Sequence, residues 1–218
     1  MRRFKGLLKA SHFGPTLIVT TISFLFANYY WWEGPAFVIA FGVFTGQLVV
    51  GWSNDLYDYA DDARHNRTNK PLVSGEITES FLRNWLRFML PFSFIANLLG
   101  PLGIRGGLVY MLGIACGVAY NFYFKFSRFS PLPYAIAFAA LPSSIVISKE
   151  ITPPLWMWLG GALFGMAAHF INVIKDMKED HASGIKGMPQ RLGTRGSILV
   201  ALVLISCGVF VLIQQLNS

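Results

Sequence analysis

Seven apolar runs, each close to the length of a bilayer crossing, constrain this chain more than any other feature. They occupy residues 13–32, 35–52, 81–99, 107–124, 130–148, 155–173 and 198–213. A helix needs ~20 apolar residues to cross ~30 Å of hydrocarbon, and backbone polar groups in that medium must be satisfied within the segment itself. The expected fold is therefore all-α: a polytopic membrane helical bundle of about seven transmembrane helices around a central cavity. Charged residues make up only 13% of the chain, against the ~25% of soluble domains, which excludes a soluble fold. The fifth run is the weakest, because it carries Pro131, Pro133 and Pro142. No low-complexity linker interrupts the pattern, so residues 1–218 read as one domain.

Charge placement tests these spans independently, since cytoplasmic loops of membrane proteins are rich in Lys and Arg. With the N-terminus inside, Arg105 and Lys149 are the only two of 18 basic residues that fall outside. This orientation makes the protein an integral membrane protein with its N-terminus and the ends of the second and sixth runs at the cytoplasmic face. The net charge of +7 follows from the same bias, with a smaller share for anionic lipid or substrate. Nucleic acid is rejected as a partner, because the basic residues are dispersed over short loops. The first run is long and has no small-residue cleavage site, so no cleaved signal peptide is expected. Cys116 and Cys207 lie inside apolar runs and suggest neither a disulfide nor a zinc site.

Two copies of one polar pattern stand where the second and sixth runs end: Asn54-x3-Asp58-x3-Asp62 and Asn172-x3-Asp176-x3-Asp180. A spacing of four returns to one helix face, so each copy is expected to stack an amide and two carboxylates along a stripe. With Asp55, Asp61 and Glu179 these stretches hold most of the 11 acidic residues of the chain. Read simply as solvated helix ends they make poor sense, because acids at a helix C-terminus oppose the macrodipole. Crowded carboxylates are relieved by a cation, and hard oxygen donors suit Mg²⁺ held jointly with substrate phosphates. The basic stretch after the first copy adds Arg67 and Lys70, suited to a diphosphate leaving group. Ser74-Gly75 reads as a turn, with Thr78 capping the next helix.

Asn54-Asp55-x2-Asp58-x3-Asp62 followed by Lys70-Pro71-Leu72-x-Ser74-Gly75 resembles the first signature of the UbiA superfamily of intramembrane prenyltransferases. The second copy, running into Gly184 and Pro189-x-Arg191-Leu192-Gly193, resembles its second signature, and Tyr120-x4-Lys125 resembles a further family position. The resemblance implies a helical bundle in which Mg²⁺ bridges the two acidic motifs to an isoprenyl diphosphate whose tail enters an apolar cavity. Ionisation then yields an allylic cation that a lipid-soluble acceptor, aromatic or otherwise, captures. It assigns Asn54, Asp58, Asp62, Asn172, Asp176 and Asp180 to the metal and diphosphate, with Arg67, Lys70, Lys125 and Arg191 as further diphosphate contacts. Tyr120 is expected to line the cavity, where its ring can steady a carbocation.

Family members usually carry further helices at the C-terminal end. The expectation stands open between a bundle that works with seven helices, one that closes by pairing as a homo-oligomer, and a degenerate remnant. Two other functions are weighed: a terpene cyclase or prenyl diphosphate phosphatase built on the same site, and a non-enzymatic cation transporter. Transporter carboxylates sit near the bilayer midplane, whereas these sit at one end beside basic loops. Among the histidines, His169 is placed three residues before Asn172 on the cavity face, His12 reads as an interfacial residue, and His65 and His181 face phosphate or water. The acceptor and the prenyl chain length are not legible.

Overall fold

A computed structural model describes residues 2–216, and all regular structure among them is helical. Helices α1 (Arg2–Ala10), α2 (Phe13–Tyr30), α3 (Glu33–Arg64), α4 (Glu79–Leu99), α5 (Gly103–Phe122), α6 (Leu132–Ile147), α7 (Leu155–Ile174), α8 (Met177–Ala182) and α9 (Met188–Leu216) follow in order. Each of the seven apolar runs becomes one helix, and α1 and α8 are additions.

Four helices, α3, α5, α7 and α9, are long and apolar enough to cross a membrane, and the α1–α2 pair, bent by 68°, makes a fifth. The expected count of seven is therefore not met on length and hydropathy. The shortfall has local causes: α4 opens with Glu79, Arg83 and Arg87, and α6 spans only 16 residues. Pro131 starts α6, and the turn through Glu150, at φ 58°, follows its end.

The helices pack mainly on their chain neighbours, α2 on α3, α3 on α4 and α5, α5 on α6, α6 on α7 and α7 on α9. Small residues set the closest approaches, as is usual where no hydrophobic force drives helices together. A Cβ on Gly165 of α7 would lie 2.4 Å from the Tyr134 carbonyl oxygen of α6. Polar side chains hold α3 to α4 and α5: Asn97 donates to the Gly42 carbonyl at 3.1 Å, and the Tyr110 hydroxyl donates to that of Val43 at 2.9 Å.

Two apolar clusters result. One runs between α2, α3, α5 and α6 around Ile39, Val43, Tyr110 and Ile145. The other gathers Leu7 and Ala10 of α1, Leu48 and Trp52 of α3, Leu82 of α4, and Leu72 and Ile77 of the 65–78 connection. The second cluster pins that connection against the bundle end, directly beside the first acidic motif. As expected, Thr78 caps α4, its Oγ1 accepting the Phe81 N–H at 3.3 Å.

Candidate active site

The ends of α3, α5 and α7 converge, and their side chains interlock. The first motif lies on an unbroken helix, so Asn54, Asp58 and Asp62 share a face of α3 as the spacing predicts. The second does not: α7 stops at Ile174, Asp176 stands at φ −100° as the N-cap residue of α8, and Asp180 lies within α8. The expected single stripe is replaced by a break, which turns Asp176 and Asp180 relative to Asn172. Asp176 as N-cap stands at the favourable end of a helix dipole, which answers for the second copy the electrostatic objection to acids at a C-terminus, whereas Asp61 and Asp62 stay in the last turn of α3.

Arg67 joins the two motifs. Its Nη1 donates to Asp62 Oδ1 at 2.7 Å, its Nη2 donates to Ser183 Oγ at 2.8 Å, and its Nε stands 3.7 Å from Glu179 Oε2. Lys70 Nζ donates to Asp55 Oδ1 at 2.8 Å and lies 4.0 Å from Asp62. Burial disfavours the Lys70 charge, but Asp55, Asp62 and Asp58 outweigh it and raise its pKa above the ordinary lysine value.

Lys125 sits in a 3-10 turn, Phe124–Phe126, only 4% exposed, and is paired with Asp58. Its ammonium also lies 4.7 Å from the centre of the Tyr57 ring. Asp180 accepts a hydrogen bond from Gln190 Nε2 at 2.7 Å. Burial, with Asp176 adding, raises the Asp180 pKa, against the Gln190 bond and the charges of Lys125 and Arg67.

Tyr120, near the end of α5, lies within electrostatic range of Asp58, Asp176 and Asp180. Its ring meets Tyr134 edge-on at 5.2 Å and His169 at 5.4 Å. Asn172 adjoins the Tyr134 hydroxyl. His169, 1% exposed, is bonded through Nε2 to Ser130 Oγ at 3.0 Å, and the same oxygen accepts the Met188 N–H at 2.9 Å.

The site thus gathers Asp58, Asp62, Asp180, Arg67, Lys70, Lys125 and Tyr120, with Asn54, Asn172 and Asp176 at its edge. Arg191 is not brought in: it is exposed and donates to the Lys186 carbonyl at 2.8 Å. Its neighbour Gln190, 7% exposed, takes the inward place instead, since one residue turns a helix by 100°. His12 is more than interfacial, because its Nε2 lies 3.4 Å from Asp55 Oδ1. His65 and His181 turn back to carbonyls of their own helical turns, those of Asp61 and Met177.

A membrane-spanning helical bundle that faces two acidic motifs across a bridging arginine at one end defines a narrow class of membrane protein. The model of the UbiA prenyltransferase family matches residues 16–217, and the chain belongs to that family.

The fold is also that of solved UbiA homologues. One from Archaeoglobus fulgidus, bound to GPP and Mg2+, superposes with a TM-score of 0.81 at 16% identity, over 94% of this chain and 76% of that one. The same homologue bound to DMAPP and Mg2+ gives 0.81 at 16%, over 94% and 75%. A UbiA homologue from Aeropyrum pernix K1 gives 0.73 at 17%, over 100% of this chain and 80% of that one. These relatives are longer than this chain. No curated protein matches the sequence.

Proposed function

We propose that the protein is a Mg²⁺-dependent intramembrane prenyltransferase. It moves an isoprenyl group from an isoprenyl diphosphate to an aromatic or other lipid-soluble acceptor, of the kind used in quinone and prenyl-lipid synthesis. The observation that carries this reading is Arg67, which spans from Asp62 to the α8 segment holding Asp180. On this reading the two motifs form one site, with Lys70 paired to Asp55 and Lys125 to Asp58 beside it.

The donor set fits Mg²⁺. Among the described residues no three acidic or imidazole groups converge to cage an ion by themselves, and Mg²⁺ is usually held by one or two carboxylates plus substrate phosphates. Burial, with the Asp176 charge adding, raises the Asp180 pKa, and a bound cation would favour the ionised carboxylate against both. Asp58, Asp62, Asp176 and Asp180, with Asn54 and Asn172, are the residues that would hold the ion, which when bound neutralises diphosphate charge as the C–O bond breaks.

The side chains divide the remaining work. Arg67, Lys70 and Lys125 exchange their carboxylate partners for phosphate oxygens and hold the departing pyrophosphate in place. Tyr120, with Tyr134 stacked edge-on, presents a π-face toward the allylic cation. Behind the ring His169 and Phe170 are buried. On this reading residues 1–218 form one domain, and the N-terminus and both motifs face the cytoplasm.

The test is pyrophosphate release by the purified protein in detergent, across isoprenyl diphosphates of increasing length, with and without Mg²⁺ and with a panel of acceptors. The expected result is Mg²⁺-dependent release that requires an acceptor. Release without one means a cyclase or phosphatase, and no release in any condition sinks the enzyme assignment.

A further inference from the structure

Helix α1 and the elbow that follows it lie outside the chemistry described above, yet they touch the loop that carries Arg67 and Lys70. The sequence Arg2-Arg3-Phe4-Lys5-Gly6-Leu7-Leu8-Lys9-Ala10 holds four basic residues and no acid. Gly6, Leu7 and Ala10 are buried, whereas Arg2, Arg3, Lys5 and Lys9 are exposed and Phe4 is 66% exposed. The helix axis turns by 68° from α2, so α1 crosses the end of the bundle instead of continuing the span. Among the described residues, Arg2, Arg3 and Lys5 have no acidic partner.

The level of α1 relative to a bilayer follows from its neighbours. The Arg3 guanidinium lies 5.5 Å from the Phe81 ring centre, and Trp52, whose Nε1 donates to the Leu7 carbonyl at 3.0 Å, meets Trp85 edge-on. Trp85 is 38% exposed on the first turns of α4, where indole rings mark the headgroup layer. An amphipathic helix with unpaired basic residues at that level, and a large exposed aromatic beside them, matches an anionic headgroup surface.

Three contacts tie this helix to the site. Lys9 is paired with Glu76, and Leu7 and Ala10 pack on Leu72 and Ile77 of the same connection. At the elbow His12 adopts φ 52°, a left-handed conformation that few residues with a side chain take up. Its imidazole stands 3.4 Å from Asp55 Oδ1, the atom that accepts from Lys70 at 2.8 Å. Asp55 is 2% exposed and its Oδ2 has no partner among the described residues, so its place is set by Lys70 and the elbow alone. The approach is tight: a Cβ on Gly51 of α3 would lie 2.6 Å from the Ser11 carbonyl oxygen.

We propose that α1 is a docking foot for anionic phospholipid headgroups, and that its seating holds the 66–78 loop in place through Lys9–Glu76 and His12–Asp55–Lys70. Asp55, alone of the first-motif residues, is then a positioning residue for Lys70. The proposal rests on the reading above only for the roles of Arg67 and Lys70, and its test needs no turnover.

The test is amide hydrogen exchange of the full chain in nanodiscs of phosphatidylcholine, alone or mixed with phosphatidylglycerol. Anionic discs are expected to slow exchange across residues 2–10 by at least about fivefold, the effect of one basic residue near an anionic surface, and to slow residues 66–78 in parallel. Arg2→Gln/Arg3→Gln/Lys5→Gln should abolish both effects. Lys9→Gln/His12→Ala should leave α1 responsive and the loop unresponsive. Equal exchange in the two discs, or an unchanged response in the triple variant, overturns the foot. A loop that still responds in the double variant overturns the coupling. Inorganic phosphate added to phosphatidylcholine discs should do nothing; if it reproduces the protection, a free anion and not a lipid is bound, and the proposal falls. Lipid-dependent protection in a protein that releases no pyrophosphate leaves this proposal standing and removes only the prenyltransferase reading.

Discussion

Arg67 donates from Nη1 to Oδ1 of Asp62 at 2.7 Å while its other arm reaches Ser183 at 2.8 Å, so one guanidinium ties the first acidic motif to the turn that follows the second. Replacement by Gln is expected to lower kcat/KM for the isoprenyl diphosphate by about a hundredfold, the scale of losing one preorganised donor at developing charge. Arg67→Lys should fall between, because an ammonium keeps the charge and loses the two-armed geometry. Steady-state pyrophosphate release across the three proteins decides it; a Lys variant equal to wild type would show that the fork does not matter.

Asp58 is paired with Lys125, which is only 4% exposed. Removing Asp58 therefore relieves no simple crowding of acids; it strands a buried ammonium. Asp58→Ala is expected to cost about 2–4 kcal/mol of stability, below the full penalty for a buried pair because the Asp58 side chain is 24% exposed. Lys125→Met added to it should recover a large part of that loss while leaving turnover abolished. Thermal unfolding of both single variants and the double variant in detergent completes the cycle, and additive losses would contradict the pairing.

What was legible in the sequence has a physical pattern. The seven apolar runs and the face shared by Asn54, Asp58 and Asp62 depend on local hydropathy and a helix period, and both survive folding. The second motif did not stay on one helix, because a spacing of four cannot reveal that α7 ends at Ile174 and α8 restarts. Partner choice was equally hidden. Arg191 is assigned by the resemblance of Pro189-x-Arg191-Leu192-Gly193 to a family signature, but the 100° step between successive residues sends Gln190 inward and leaves Arg191 on the Lys186 carbonyl. Asp55 carried no mark to separate it from its acidic neighbours, and only the fold shows it bonded to Lys70 and His12.

Gln190 supports Asp180 from behind with a 2.7 Å hydrogen bond and is 7% exposed. Such outer contacts orient carboxylate ligands, and their loss typically costs 10–100-fold in metal affinity. Gln190→Leu, close in volume and unable to donate, is expected to raise the Mg²⁺ concentration for half-maximal pyrophosphate release by about tenfold with a smaller change at saturating metal. An unchanged Mg²⁺ requirement would place Asp180 outside the metal's reach.

Gly193 breaks α9 three residues after Gln190. It stands at φ 68°, ψ 178° between the turn that begins at Met188 and the long apolar part of α9, a backbone region that is essentially closed to residues with a side chain. A Cβ there would meet nothing within 4 Å, so the cost of Gly193→Ala comes from the backbone alone, about 1–3 kcal/mol. Gly160 in α7 is the control, since its Cβ also meets nothing within 4 Å while its φ is ordinary. Ala at that position should be neutral or stabilise by up to ~1 kcal/mol. Because strain at Gly193 is relieved by rotating residues 188–192, the same variant should raise the Mg²⁺ concentration for half-maximal release, as Gln190→Leu does, whereas Gly160→Ala should not. Thermal unfolding read beside the Mg²⁺ titration separates the two effects: a Gly193→Ala protein as stable as wild type would mean that the kink is not required.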